Sequence, residues 1–140
     1  MSTWKAVAQV AKASRRLNRA ISGKRISDTE LEEIAAVVES LAARFDHGTE
    51  RNKLDDMLTR PHLAAIYAGQ HTPLDLKVGD EIEFDPFSIA GGELHPSAIG
   101  LSYVKDSEDS VIGTGIIDPM FAGPPERVHG GIQALIIDEV

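Results

Sequence analysis

The sequence predicts an α+β fold. Three observations carry that prediction: two amphipathic helical periods in the first 48 residues, a pair of strand-like runs between Ala98 and Ile117, and an almost wholly apolar run from Ile132 onward. The spacing predicts a helix over residues 3–21. Trp4, Val7, Ala8, Ala11, Leu17 and Ile21 recur at three- and four-residue intervals, with basic residues mainly between them. Gly23 is a suitable stop. Ser27-Asp28-Thr29-Glu30 is a capping box, in which the serine caps the first turn and the glutamate reaches back to it. The helix it opens runs to about Phe45, with Leu31, Ile34, Ala35, Val38, Leu41, Ala42 and Phe45 as its apolar stripe. Asp46-His47-Gly48 ends it, glycine being suited to a left-handed cap. Two such helices joined by a short polar turn suggest a helical hairpin over residues 1–48.

Residues 49–96 read as an irregular connector. Leu54 to Leu58 form at most a short helical turn. Pro61, Gly69, Pro73, Gly79, Pro86, Gly91, Gly92 and Pro96 punctuate the rest. So long an irregular stretch is expected to drape over a partner surface. The third part, 97–140, changes texture. Ile99, Leu101 and Tyr103 alternate onto one face of a strand over 98–104, and a second strand over 111–117 completes an antiparallel hairpin. Gly113 and Gly115 imply close approach of another backbone, or a bulge. Asp118-Pro119 ends the strand, and Gly123-Pro124-Pro125 is a rigid turn. The run from Ile132 to Val140 predicts a helix buried on most sides.

Composition narrows the function classes. The 140 residues carry 14 basic and 22 acidic side chains, a net charge of −8, which argues against a general nucleic-acid binder. No apolar run reaches the roughly 18 residues of a spanning helix, so membrane insertion is not expected. The absence of cysteine excludes disulfides, thiolate metal sites and a cysteine nucleophile. It fits a reducing compartment, and the cytoplasm is the expected location. The charge is uneven. Residues 1–25 hold Lys5, Lys12, Arg15, Arg16, Arg19, Lys24 and Arg25 and no acid, so the rest carry 7 minus 22, or −15. No apolar segment follows, which argues against a secretory signal. An ordinary basic helix is the expectation. A mitochondrial transit peptide, whose acid-free, Arg- and Ser-containing composition the segment shares, and a patch for an acidic partner are the alternatives.

The chemistry concentrates in Gly123-Pro-Pro-Glu-Arg-Val128-His129-Gly130-Gly131-Ile-Gln-Ala-Leu-Ile-Ile-Asp138-Glu139. Two glycines open a helix, whose first N–H groups have no internal partner and whose dipole favours negative charge. That arrangement suits an oxyanion or a polarised carbonyl. Asp138 and Glu139 place carboxylates at the far end of the same apolar helix, where they need a partner or a task. Asp138 follows His129 by nine residues, about 13 Å along the axis and about half a turn around it. One substrate carbonyl cannot touch both ends of one helix. Two antiparallel copies related by a two-fold axis can bring the glycine end of one beside the aspartate of the other, so the expectation is a dimer with sites at its interface.

This segment resembles the PaaI-like branch of the hotdog-fold acyl-CoA thioesterases. His-Gly-Gly, six residues and then Asp carry the likeness, strengthened by the preceding Gly-Pro-Pro-x-x-Val, the following Glu and the hairpin before them. The likeness is good over about residues 97–140 and weak over 80–96. It implies a hotdog fold, an antiparallel sheet around a central helix, with residues 1–48 as a helical extension. It implies hydrolysis of acyl-CoA to free acid and CoA by a homodimer or dimer of dimers, with no cofactor and no metal. By position, Gly130 polarises the thioester carbonyl through its N–H. His129 sits beside that carbonyl, with Gly131 and Val128 completing the substrate-binding corner. Asp138 is the general base or nucleophile, and Glu139 the fallback carboxylate. Some relatives carry Asn six residues before the histidine, where this chain has Gly123. The family places most of its strands after the central helix, so the 140 residues are expected to be the front part of such a domain.

Bland roles stand beside these: Gly130-Gly131 as a tight turn into a core helix, His129 as a helix-capping or core histidine, and Asp138-Glu139 as solvated helix residues. His47, His62, His71 and His95 are scattered and expected at the surface or in turns. His95, His129 and Asp138 lack metal-ligand spacing. The acids from Asp75 to Asp85 have no EF-hand register and read as a solvated face. Trp4 is expected to anchor the first helix. The competing functional expectation is a non-catalytic interaction module, in which exposed strand edges and a bare apolar helix drive association with a partner or with another copy.

Overall fold

The computed structural model describes residues 4–59, 61–70, 75–82 and 85–138. In chain order these form α1 Trp4–Gly23, α2 Asp28–Ala42, α3 Lys53–Leu58, α4 Pro61–Tyr67, β1 Ser102–Lys105, β2 Val111–Thr114, a short 3-10 turn Pro119–Phe121 and α5 Gly130–Asp138. The chain is thus mixed α+β, with a two-stranded antiparallel sheet among the described residues. It divides into two compact units. One joins Met1–Lys24 to Asp75–Val140, and the other is Arg25–Leu74. α1 therefore belongs with the sheet and α5, while α2 belongs with α3 and α4. No described helix is long and apolar enough to cross a membrane.

In the unit Arg25–Leu74 the expected capping box is present. Ser27 Oγ accepts the Glu30 N–H at 3.3 Å, and the Glu30 carboxylate accepts the Ser27 N–H at 3.2 Å and its hydroxyl at 2.8 Å. The Ser27 hydroxyl, and then the Ser27 N–H, hold the Glu30 carboxyl below its ordinary pKa. A carboxylate lowered in the folded state stabilises the fold above its unfolded pKa, and that contribution disappears as pH falls through the folded value. α2 is therefore expected to lose part of its far-UV circular dichroism on acidification, and Glu30→Gln is expected to flatten that limb. An acid limb identical in both proteins would show that the cap does not hold the helix.

α3 and α4 come next. Asn52 Oδ1 accepts the Leu54 N–H at 3.0 Å and so caps α3. α4 lies inside the stretch expected to be irregular. Pro61 looks like a breaker in the sequence, but it occupies the first helical position, where its missing N–H costs nothing. Gly69, at φ 74°, turns the chain out of α4 while the Gln70 N–H reaches back to the Ala65 carbonyl at 2.9 Å.

The other unit has a small core of Ala11, Ala90, Leu94, Ala98, Ile99, Tyr103 and Phe121. α1 reaches it through Ala11 and through Trp4, whose ring meets Phe87 edge-on with centroids 5.5 Å apart, as an anchor should. Arg15 Nη1 donates to the Glu93 and His95 carbonyls at 3.1 and 2.7 Å, fastening α1 to the 85–100 segment. Arg19 and Asp118 form an ion pair, with Nε and Oδ1 2.6 Å apart.

That segment is irregular yet contributes Ala90 and Leu94 to the core. Its backbone is satisfied by tight turns, including Gly92 N–H to Ser88 O at 2.9 Å and Leu94 N–H to Pro86 O at 2.8 Å. A Cβ on Gly92 would stand 2.4 Å from the Pro86 oxygen and 2.5 Å from two Ser88 backbone atoms. Gly92→Ala is accordingly expected to destabilise this unit by about 1–3 kcal/mol, as overpacking does. Chemical denaturation read by the fluorescence of Trp4 checks it, and an unchanged midpoint would mean that the turn relaxes freely.

The strands pair Ser102 with Thr114, Tyr103 with Gly113, Val104 with Ile112 and Lys105 with Val111. The first strand is shorter than the alternation suggests. Gly100 sits at φ 86°, and the Ile99, Gly100 and Leu101 N–H groups donate to the Ile89 and Ala90 carbonyls instead of to a neighbouring strand. Gly113 is explained by a ring and not by a bulge or a backbone, since a Cβ there would lie 2.8 Å from the Tyr103 ring.

Candidate functional site

The site grows from the loop ahead of α5. Phe121 is buried and anchors it. From there the chain folds back on itself, with Gly123 N–H to Arg127 O at 2.8 Å, Arg127 N–H to Pro124 O at 3.0 Å and His129 N–H to Phe121 O at 3.1 Å. A bridge pairs Ala122 with Val128. Gly-Pro-Pro is thus part of a closed loop, with Glu126 at φ 65° making the tightest bend. The loop delivers His129 to the first turn of α5.

His129 caps that turn. Its carbonyl accepts the Ile132 and Gln133 N–H groups at 2.9 and 3.2 Å, and its Nδ1 accepts the Gly131 N–H at 3.0 Å. With Nδ1 used as an acceptor, the neutral ring carries its proton on Nε2. Gln133 Nε2 donates to the Val128 carbonyl at 3.1 Å and ties the loop to the helix. One amide of this turn stays open. The Gly130 N–H makes no hydrogen bond among the described residues, and a Cβ built on Gly130 meets nothing within 4 Å. An exposed, unpaired donor at a helix N-terminus, beside an imidazole N–H, can hold a carbonyl oxygen or an anion.

Val128, His129, Gly130 and Gly131 therefore share one corner. Asp138 does not join them. It closes α5 eight residues after Gly130, about 12 Å along the axis, and is exposed. Glu139 lies outside the described residues. The expected burial of α5 is overturned: none of its residues is buried, and Ile137 is 75% exposed. The core that the described residues build is centred on Tyr103 and the 85–100 turns, and they supply no layer over the helix. Gly123, where some relatives of the resembled family carry Asn, lies against the α5 entrance. A Cβ there would stand 3.1 Å from His129 Cα, so a side chain at this position would shift the histidine by a few tenths of an ångström.

A second concavity, of about 380 Å³, has no counterpart in the sequence motifs. Arg15, Arg19, Ile99, Ser102, Thr114 and Asp118 line it, with the Ser102 and Thr114 hydroxyls 3.1 Å apart. Only the i, i+4 spacing of the two arginines hinted at it. Of the other histidines, His47 is exposed in the turn after α2, and His71 lies outside the described residues. His95 turns the chain by accepting the Ser97 N–H on Nδ1 at 3.0 Å. No group of three His, Asp or Glu among the described residues could hold a metal ion.

Comparisons of the chain with protein-family models, with curated proteins and with solved structures find no match. The functional reading therefore stands on the motif and on the geometry of the α5 entrance.

Proposed function

We propose that the chain is an acyl-CoA thioesterase of the PaaI-like hotdog type, hydrolysing acyl-CoA thioesters to free acid and CoA. The observation that carries this reading is the open Gly130 N–H at the start of α5, held beside His129 by the loop 121–129. The thioester oxygen would accept the Gly130 N–H, with the helix dipole favouring the charge that develops on that oxygen. His129, locked by the Gly131 N–H, would flank the carbonyl, and Val128 and Gly131 would shape the pocket. Asp138 of a second copy would take a proton from water. The hydroxide then adds to the carbonyl carbon, the C–S bond breaks, and the CoA thiolate leaves. Glu139 is the reserve carboxylate. The reaction calls on no metal and no cofactor, and it belongs to a cytoplasmic homodimer or dimer of dimers. Release of free thiol from a panel of acyl-CoA substrates is the direct test. Turnover supports the reading, and its absence across short, long and aromatic acyl groups on a dimeric protein overturns it.

A second reading has its own observation. Ile116 is 88% and Ile137 75% exposed, beside the open edge of β2 and along α5. Such surfaces favour association without catalysis, as in an interaction or self-association module. A defined assembly that releases no thiol would favour it.

A further inference from the structure

α2 carries a feature that thioester hydrolysis does not use. Its apolar residues Leu31, Ile34, Val38, Leu41 and, just beyond its end, Phe45 are spaced three, four, three and four apart. That is the a/d seam of a coiled coil, with Leu31, Val38 and Phe45 at a and Ile34 and Leu41 at d. No residue of α2 is buried, and Leu31, Leu41 and Phe45 are 43%, 49% and 69% exposed. The chain keeps turning past Ala42, with the Arg44 N–H on the Leu41 carbonyl and the Phe45 N–H on the Ala42 carbonyl, so the seam extends to Phe45.

We propose that this seam binds a second copy of the same chain, with the two α2 helices antiparallel. The flanking positions select both the partner and the direction. On one flank stand Glu30, Val37 and Arg44, and on the other Asp28, Ala35 and Ala42. Antiparallel pairing sets Leu31 opposite Leu41 and Ile34 opposite Val38. It then places Glu30 opposite Arg44 twice, once at each end, and Val37 opposite itself in the middle. The other flank meets through Ala35 on Ala35, and these small side chains let the helices approach closely. A parallel pair would leave Glu30 and Arg44 without opposite charges. Both are exposed. Arg44 has no ion pair among the described residues, and the Ser27 cap binds only one oxygen of Glu30. The outward positions hold Glu32, Glu33 and Glu39, which keep the far face solvated.

The seam spans about 21 Å, so the pair is weak on its own and is best read by a concentration series. The inference does not rest on the hydrolytic reading. If α5 also joins two copies, the α2 pair would link dimers into a dimer of dimers. The experiment is sedimentation velocity on the full chain, together with disulfide trapping, for which the absence of cysteine gives a clean background. Asp28→Cys mixed with Ala42→Cys should yield the mixed disulfide ahead of either homodisulfide, because these positions face each other only in the antiparallel pair. Arg44→Glu should weaken association about tenfold by setting like charges together at both ends. A chain monomeric at every concentration, homodisulfides in preference to the mixed one, or association indifferent to Arg44→Glu would each overturn the proposal. None of these outcomes depends on thiol release.

Discussion

Asp138→Asn is expected to lower kcat for acyl-CoA hydrolysis by about 10²–10⁴, the usual contribution of a positioned general base, while leaving folding and assembly unchanged. Asp138 is exposed at the end of α5, so the amide replaces the carboxylate without a packing cost. Gly130→Pro is the matching change at the other end. Proline at the first helical position keeps the helix but deletes its N–H, and no atom within 4 Å opposes a Cβ there. Loss of that donor is expected to cost about 10²–10³. The decisive measurement is the mixture. If Gly130 of one copy works with Asp138 of the other, co-refolding the two inactive variants gives hybrids with one intact site, and about a quarter of the wild-type activity returns. A mixture as inactive as its parents would place both groups in one chain's site or neither in any, and the separation of about 12 Å between the ends of α5 argues against the former.

The helices α1, α2 and α5 and the antiparallel strand pair were legible in the sequence because their signals are local. The Ser27–Glu30 box needs only four residues, and the stripe of α2 needs only its own period. The features that escaped were set by distant chain. Pro61 can break a helix or begin one, and only the residues after it decide. The first strand loses residues 98–101 because the Ala98 N–H turns back to the His95 carbonyl and those of Ile99, Gly100 and Leu101 find carbonyls at residues 89 and 90, a pairing that no window on the strand reveals. Gly113 was readable as a close approach but not as the seat of the Tyr103 ring. At the candidate site the sequence placed His129 and Gly130 together at a helix start, and they are found there. A helix-capping role for His129 was also legible, but that the cap would take the Gly131 N–H and leave Gly130 open depends on the side-chain geometry of the turn. The burial assigned to α5 failed for a related reason. Hydropathy reports what a helix would gain from cover and is silent about whether these residues provide any.

Tyr103→Ala is expected to destabilise the unit containing the sheet by about 3–5 kcal/mol, enough to threaten its folding. Tyr103 is 2% exposed and is the largest fully buried side chain described. Half of the other core residues are the small Ala11, Ala90 and Ala98, which cannot close over the cavity. Urea denaturation read through Trp4, the one tryptophan of the chain, follows this unit because Trp4 packs on Phe87. Tyr103→Phe keeps the ring and is expected to lose no more than about 1.5 kcal/mol. The sharper form of the prediction couples the residue to its cross-strand partner. Gly113→Ala alone drives a methyl to 2.8 Å from the ring and is expected to destabilise. In the Tyr103→Ala background the ring is gone, and the same alanine only relieves the entropy of a strand glycine, so its effect should vanish or reverse. Additive losses would mean that Gly113 is required for a reason other than the ring, and the packing of the hairpin would need another centre.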